Sequence, residues 1–180
     1  SCSPALRDAM EEALLVLADL GATLADVRIR PVQDYADVKI TIAETEIFST
    51  HQHGFQHRLG EYGVDFRNRT LGACLFGAAD YFQAQRQRRQ MLHEFESLYD
   101  ECDLLVTVGN GPAPRLDVQA GQPYSDKWKH GNVYNPFSVS GGPALALCIG
   151  FSEAGLPLSM QIGGRPGDDA AVLRAGHAYE

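Results

Sequence analysis

Cysteine is scarce in this chain: four of 180 residues, Cys2, Cys74, Cys102 and Cys148, with no CxxC pair among them. Spacing that wide excludes a disulfide-stapled scaffold. The expectation is reduced, buried thiols in a cytoplasmic protein. Lysine is scarcer still, present only as Lys39, Lys127 and Lys129, and acids outnumber Lys and Arg by 23 to 15 for a net charge of −8. A general nucleic-acid binder needs basic surface to displace counterions from phosphates, so that class is excluded. No apolar run approaches the length that spans a bilayer, and no membrane partner is expected. The opening Ser1 to Leu6 lacks the basic and apolar regions of a secretory signal. Internal repeats and low-complexity tracts are also missing.

What is present reads as a globular domain. Hydrophobic residues are 44% and charged residues 21% of the chain, near the soluble average. A chain this long buries roughly 70% of the surface of its unfolded form, enough for a sizeable core.

Local patterns give an order of elements. Ser3 is placed to cap a first helix, Pro4 suits its first position, and Leu6, Met10, Ala13, Leu14 and Leu17 recur at helical spacing up to the stop at Gly21. Ala25 to Ile29 alternates like a short strand closed by Pro31. A second helix is predicted from about Tyr35 to His53, followed by a mixed region from Gly54 to Gly72. A third helix is predicted from Ala78 to Tyr99. Its inward stripe is Tyr81, Ala84, Arg88, Met91, Phe95 and Leu98, and Gln85, Arg86, Gln87, Arg89 and Gln90 form a solvated face. Leu104 to Val108 reads as a buried strand, ending at a loop from Gly109 to Pro114. A long irregular section follows to Pro136 and holds the single tryptophan, Trp128. Ala144 to Ile149 and Leu158 to Ile162 read as two more strands joined by a turn at Gly155 and Pro157. Asp168 is placed to cap a final helix. Helices and strands in this order indicate an α/β protein.

Several residues invite a chemical reading, and each also has a plainer one. His51, His53 and His57 form an HxHxxxH group. Residues two apart on a helix point to nearly opposite faces, and Gly54 is expected to interrupt the pair that would share one. No metal site is therefore expected, and the histidines are read as surface or helix-terminal. Ser138-Val139-Ser140-Gly141-Gly142 resembles a nucleophile loop, but no GxSxG elbow is present and no base is in place. A structural turn is the better reading. Cys148, inside a strand, reads as a small apolar core residue. Gly163 to Gly167 precedes a helix but matches no phosphate-loop spacing. The residues alone describe an α/β chain without a complete catalytic set.

The last third carries a more specific pattern. Pro136-Phe137-Ser138-Val139-Ser140-Gly141-Gly142-Pro143-Ala144 is followed by Gly150-Phe151, then Gly155-Leu156-Pro157, then Gln161-Ile162-Gly163-Gly164-Arg165-Pro166 and a helix to Glu180. This resembles the C-terminal part of the amidase signature family, with its Pro-Phe-Asn, Gly-x-Pro-Ala, Gly-Leu-Pro and Gln-x-x-Gly-Arg-Pro segments. Upstream, Leu20-Gly21-Ala22, the helix around Asp80 to Arg88 and the run from Asp103 to Pro114 are also similar to family segments. Two departures stand out: Ser138 where the family usually has Asn, and Val108-Gly109 where it usually has Thr-Pro.

The resemblance implies part of an α/β/α sandwich with a mixed central sheet, residues 1–180 forming one structural unit. It implies a parent enzyme that cleaves carboxylic amides through an acyl-serine intermediate, using a Ser–cis-Ser–Lys triad. No position here matches that triad, so no catalytic residue is assigned and the chain alone is expected to be inactive. No metal or organic cofactor is implied. Asn110, Phe137 and Ser138 are the expected substrate-binding residues. The implied partners are a small-molecule amide and the N-terminal half of the fold; assembly into a homo-oligomer is left open. Two alternatives are a non-catalytic member of a larger assembly and a stand-alone binding module with a pocket near Trp128. Light-scattering mass and tryptophan titration separate them.

Overall fold

The computed structural model describes residues 3–109, 111 and 131–180. Asn110 and the section holding Tyr124, Lys127, Trp128 and Lys129 lie outside the described residues. The chain divides into two compact units. The first comprises Ser1–Arg30, His93–Arg115 and Ser140–Glu180, and the second comprises Pro31–Leu92 and Leu116–Val139.

The first unit is built on a sheet. Helix α1, Pro4–Asp19, begins as its sequence dictates: Ser3 Oγ accepts from the Leu6 N–H at 3.3 Å and Pro4 occupies the first turn. It ends where Gly21 turns to a φ of +98° and the Ala22 N–H donates to Leu17 O at 3.0 Å, a left-handed close that glycine adopts without a side-chain clash. Strands β1, Leu104–Val108, β2, Ala144–Phe151, and β3, Pro157–Gly164, form a sheet in the order β1-β3-β2 with both pairings antiparallel. Val106 and Leu145 both face Ile162, and Val108 and Leu147 both face Met160. One face therefore carries a continuous apolar layer. Leu6, Ala9, Met10, Ala13 and Leu17 of α1 pack on it, and Leu158, Met160 and Ile162 are the most deeply buried strand residues. Helix α6, Asp169–Tyr179, is capped by Asp168 Oδ1, which accepts from Ala171 N–H at 3.3 Å, and its Ala175 and Tyr179 pack against the same core. The chain is thus mixed α/β, with an antiparallel sheet among the described residues.

Helices make up the second unit. They are α2, Val32–Arg58, a short 3-10 turn at Leu59–Glu61, α3, Val64–Thr70, and a second 3-10 segment, Leu71–Leu75. Helix α4, Ala78–Glu101, contributes its residues up to Leu92, and α5, Asn135–Ser140, contributes those up to Val139. Tyr35, Ala36, Val38, Phe55, Ala73, Ala84, Met91, Phe137 and Val139 are buried. Phe55, Tyr62 and Phe66 form an aromatic cluster, with Phe55 and Tyr62 ring centroids 4.7 Å apart. Glu44 is buried but not bare: Thr70 Oγ1 donates to its Oε2 at 3.4 Å and Arg69 Nε lies 3.4 Å from its Oε1, which ties α2 to the end of α3.

Four expectations need correction. Residues 25–29 are not a strand; they run as an irregular connection with Leu24, Val27 and Ile29 exposed, because alternation makes a strand only when a partner strand supplies hydrogen bonds. Helix α2 does not stop before Gly54 but continues to Arg58. Gly54 sits against the Tyr62 ring, where a Cβ would fall 3.0 Å from Cζ, so the glycine serves a close approach rather than a break. Residues 135–140, read as loop and turn, form a short helix. The thiols are not all buried: Cys74 and Cys148 are exposed and Cys102 is half-buried, all three free. Cys148 shares the outer face of edge strand β2 with Ala144 and Ala146, opposite the core-facing Leu147 and Ile149.

Candidate functional site: a polar cleft in the helical unit

Three helices of the second unit enclose a partly open cleft of about 290 Å³ lined by Lys39, Ile42, Ala43, Glu46, Gln85, Arg88, Ser138 and Val139. The spacing explains how they meet. Positions 39, 42, 43 and 46 recur at three and four residues along α2 and so share one helix face. Positions 85 and 88 do the same on α4, with Tyr81 one turn earlier. Ser138 and Val139 come from α5.

Hydrogen bonds hold the walls. The Tyr81 hydroxyl donates to Glu46 Oε1 at 2.8 Å and accepts from Gln85 Nε2 at 3.0 Å. The Arg88 Nε–H donates to the Val139 carbonyl at 3.0 Å, tying α4 to the end of α5. The Ser138 hydroxyl donates to Tyr134 O at 3.1 Å, which commits its hydrogen and leaves its oxygen able to accept. A turn at Asn132 precedes helix α5: its Oδ1 accepts from Tyr134 N–H and its carbonyl from Asn135 N–H, both at 2.9 Å. Pro136 fits the first turn, where a missing N–H costs nothing. Just before this helix, Gly131 passes so close to α2 that a Cβ would lie 2.6 Å from the backbone of Val32 and Gln33.

The residues singled out in the sequence distribute as follows. Ser138 lines the cleft. Phe137, 5% exposed, is buried beside it, and Asn110 lies outside the described residues. Ser140 is buried and accepts from the Gly142 N–H at 3.4 Å, the bonding of a structural turn. His51 packs edge-on against Tyr62 and Phe66, while the His53 and His57 rings lie tilted against each other with centroids 4.5 Å apart. The pattern did not single out Lys39, Glu46 or Gln85. Arg88 carried a signal, since it interrupts an otherwise apolar inward stripe; Gln85, assigned to the solvated face, is half-buried in the cleft wall.

The two departures at Val108-Gly109 and Ser138 have structural counterparts. Gly109 N–H donates to Ser159 O at 2.6 Å, and a Cβ at this position would fall 2.6 Å from the same oxygen. The glycine thus extends the pairing of β1 with β3 by one residue. In the motif that follows, Arg165 reaches the end of α4, donating to Tyr99 O at 2.6 Å and Asp100 Oδ1 at 3.1 Å. A cation there satisfies terminal helix carbonyls.

Comparison with known proteins places this geometry. An amidase from Pseudomonas putida is 32% identical over 189 residues, covering 98% of this chain and 39% of that protein. A glutamyl-tRNA(Gln) amidotransferase polypeptide of Chloroflexus aurantiacus is 30% identical, covering 98% and 41%. The chain therefore spans about two fifths of the length of these curated relatives. Among solved structures, the allophanate hydrolase of Kluyveromyces lactis superposes with a TM-score of 0.85 at 22% identity, over 98% of this chain and 29% of that one, a likeness of fold. The Amidase family model matches residues 1–173, and with that the chain belongs to the amidase signature family.

Proposed function

We propose that these 180 residues are the C-terminal portion of a hydrolase that cleaves the C–N bond of carboxylic amides. The observation that carries this reading is the family match through residues 1–173, joined to the position of the family's Pro-Phe segment: it delivers Ser138 to the wall of a polar cleft. The relatives' names, amidase and allophanate hydrolase among them, are those of enzymes acting on such bonds.

In the proposed reaction a serine outside this chain attacks the amide carbonyl. The C–N bond breaks, the amine leaves with a proton, and water hydrolyses the acyl-serine. A lysine acting through a bridging serine moves the proton, and backbone N–H groups hold the oxyanion. None of these groups is assigned to residues 1–180. This portion supplies scaffold and one wall of the substrate pocket, with Ser138 as an acceptor for an amide N–H, Phe137 supporting it from within, and Asn110 as a further contact. The partner is the remainder of the amidase fold.

The test compares the 180-residue chain with a polypeptide that also carries the preceding part of the fold. Amide turnover is expected only from the latter, and Ser140→Ala in it is expected to change kcat less than about threefold, since Ser140 is tied into a turn. Turnover by the short chain that Ser140→Ala abolishes would overturn the reading.

A further inference from the structure

The fold splits the HxHxxxH group. His51 turns into the aromatic cluster, its Nδ1 3.4 Å from the Tyr62 hydroxyl and its ring edge-on to Phe66. His53 and His57 are both exposed on α2. In the sequence, Gly54 is the ground for expecting no metal at this pair. Helix α2 runs through Gly54 to Arg58, so two residues four apart stand one above the other on one face.

The pair has the dimensions of a chelate. Its ring centroids lie 4.5 Å apart, with the planes tilted by 56°. Metal–nitrogen bonds to imidazole are about 2.0–2.1 Å, so two rings set at a right angle about one ion keep their centres roughly 4.5 Å apart. Neither ring has a hydrogen-bond or ion-pair partner among the described residues. Both face water, and the second side-chain torsion of histidine is broad, so the rings turn toward a shared ion at little cost. Arg58, the neighbouring cation, is paired with Glu61 at 3.4 Å.

We propose that His53 and His57 bind one borderline divalent metal ion, of the class of Zn²⁺, Ni²⁺ and Cu²⁺, as a clip across the turn that holds Gly54 and Phe55. Imidazole suits these ions, whereas Mg²⁺ and Ca²⁺ prefer oxygen ligands. Among the described residues no third His, Cys, Asp or Glu joins the pair, so water completes the coordination. The position gives the clip a use. It brackets Gly54, a poor helix former, and Phe55, which is buried and packs on Tyr62 with ring centroids 4.7 Å apart. A bound ion therefore holds in helical form the turn that carries this contact. The inference uses no cleft residue and stands whether or not the amide reading does.

Calorimetric titration of the untagged chain with nickel chloride tests this. One Ni²⁺ is expected at the tightest site, with Cu²⁺ binding more tightly and Mg²⁺ not binding. Loss of a group that merely supports a metal ligand costs about tenfold or more in affinity, so His53→Ala and His57→Ala are each expected to weaken Ni²⁺ at least about tenfold. Combining His57→Ala with Arg58→His keeps the number of histidines and removes a cation, but sets the two rings about 140° apart around the helix. That variant is expected to bind no better than His57→Ala. His93→Ala, and Cys74→Ser with Cys148→Ser, are expected to leave the affinity unchanged. All these positions are exposed, and circular dichroism confirms that each variant is folded. Hydrogen exchange of the amides from His53 to Arg58 is expected to slow when Ni²⁺ is added, an effect that an ion held by one histidine would not produce.

No Ni²⁺ binding, equal binding by His57→Ala, recovery of binding with Arg58→His, loss of binding with the two thiols, or Mg²⁺ binding as tightly as Ni²⁺ would each overturn the site. Unchanged exchange at saturating Ni²⁺ would overturn the clip.

Discussion

Tyr99 shows how one side chain couples packing to pH. It is buried at the end of α4, and its hydroxyl has no hydrogen-bond partner among the described residues. Burial, with a smaller contribution from the nearby Cys102 thiolate, pushes its pKa up to about 12, against an opposing pull from Arg165. The neutral phenol is thus the favoured folded form. An unfolded tyrosine ionises near pH 10, so the folded state holds its proton longer than the unfolded state does. Stability is full below about pH 10 and falls as pH rises from there to about 12, by on the order of 2 kcal/mol. Tyr99→Phe removes an unpaired hydroxyl and the titration together. Its thermal melt at pH 8 is expected to match or exceed the parent's, and its loss of stability between pH 10 and 12 to be shallower. An equally steep alkaline loss would assign the effect to other groups. Residue-scale chemistry of this kind is poorly visible in sequence. Arg88 was read only as a member of the inward stripe of α4, although a cation in an otherwise apolar stripe was a signal, and Ser138 drew notice through the motif around it. Lys39 was distinguished by nothing but rarity, since what makes it a cleft residue is its spacing with Ile42, Ala43 and Glu46 on one face of α2.

At the scale of elements, the end of β1 is the sharpest case. Where the family usually has proline, Gly109 donates an N–H to Ser159 O and lies too close to that residue for a side chain. Gly109→Pro deletes the bond and adds a clash, so a loss of about 3 kcal/mol or more is expected; chemical denaturation measures it. Gly109→Ala keeps the N–H and is expected to cost less. The strands themselves were legible: Leu104–Val108 has the bounds read from its apolar run, and β2 and β3 extend the predicted segments by a few residues. The segment 25–29 misled because alternation reports a pattern of side chains, whereas a strand also needs a neighbour for its backbone. Gly54 misled in the opposite way. Glycine disfavours a helix interior by only about 1 kcal/mol, and packing against Tyr62 outweighs that in a helix as long as α2. Helix α5 was missed because its serines suggested a turn, although Pro136 in its first turn was a signal.

Across the whole molecule, two cores lie on one chain. The first centres on Met160, fully buried between β1, β2 and α1; the buried residues of the second unit include Tyr35, Phe55 and Met91. Met160→Ala opens a cavity and is expected to lower stability by about 2–5 kcal/mol. Hydrogen exchange is expected to report the loss mainly in β1, β2, β3 and α1, with α2 keeping more of its protection. Uniform loss would show that the two cores melt as one. The division into Ser1–Arg30, His93–Arg115 and Ser140–Glu180 against the remainder is not legible in the linear order, because each unit takes segments from distant parts of the chain. Fold class and family were legible, since they rest on local patterns and on motifs in the last third.

Cys74 belongs to the helical unit and Cys148 to the sheet unit, and both thiols are exposed. The protein thus carries its own pair of attachment points for a donor and an acceptor dye, one on each unit, with Cys102 half-buried and slower to react. Replacing Cys2 and Cys102 by serine would leave a two-site ruler that reports on each unit as denaturant is added, with no engineered cysteine.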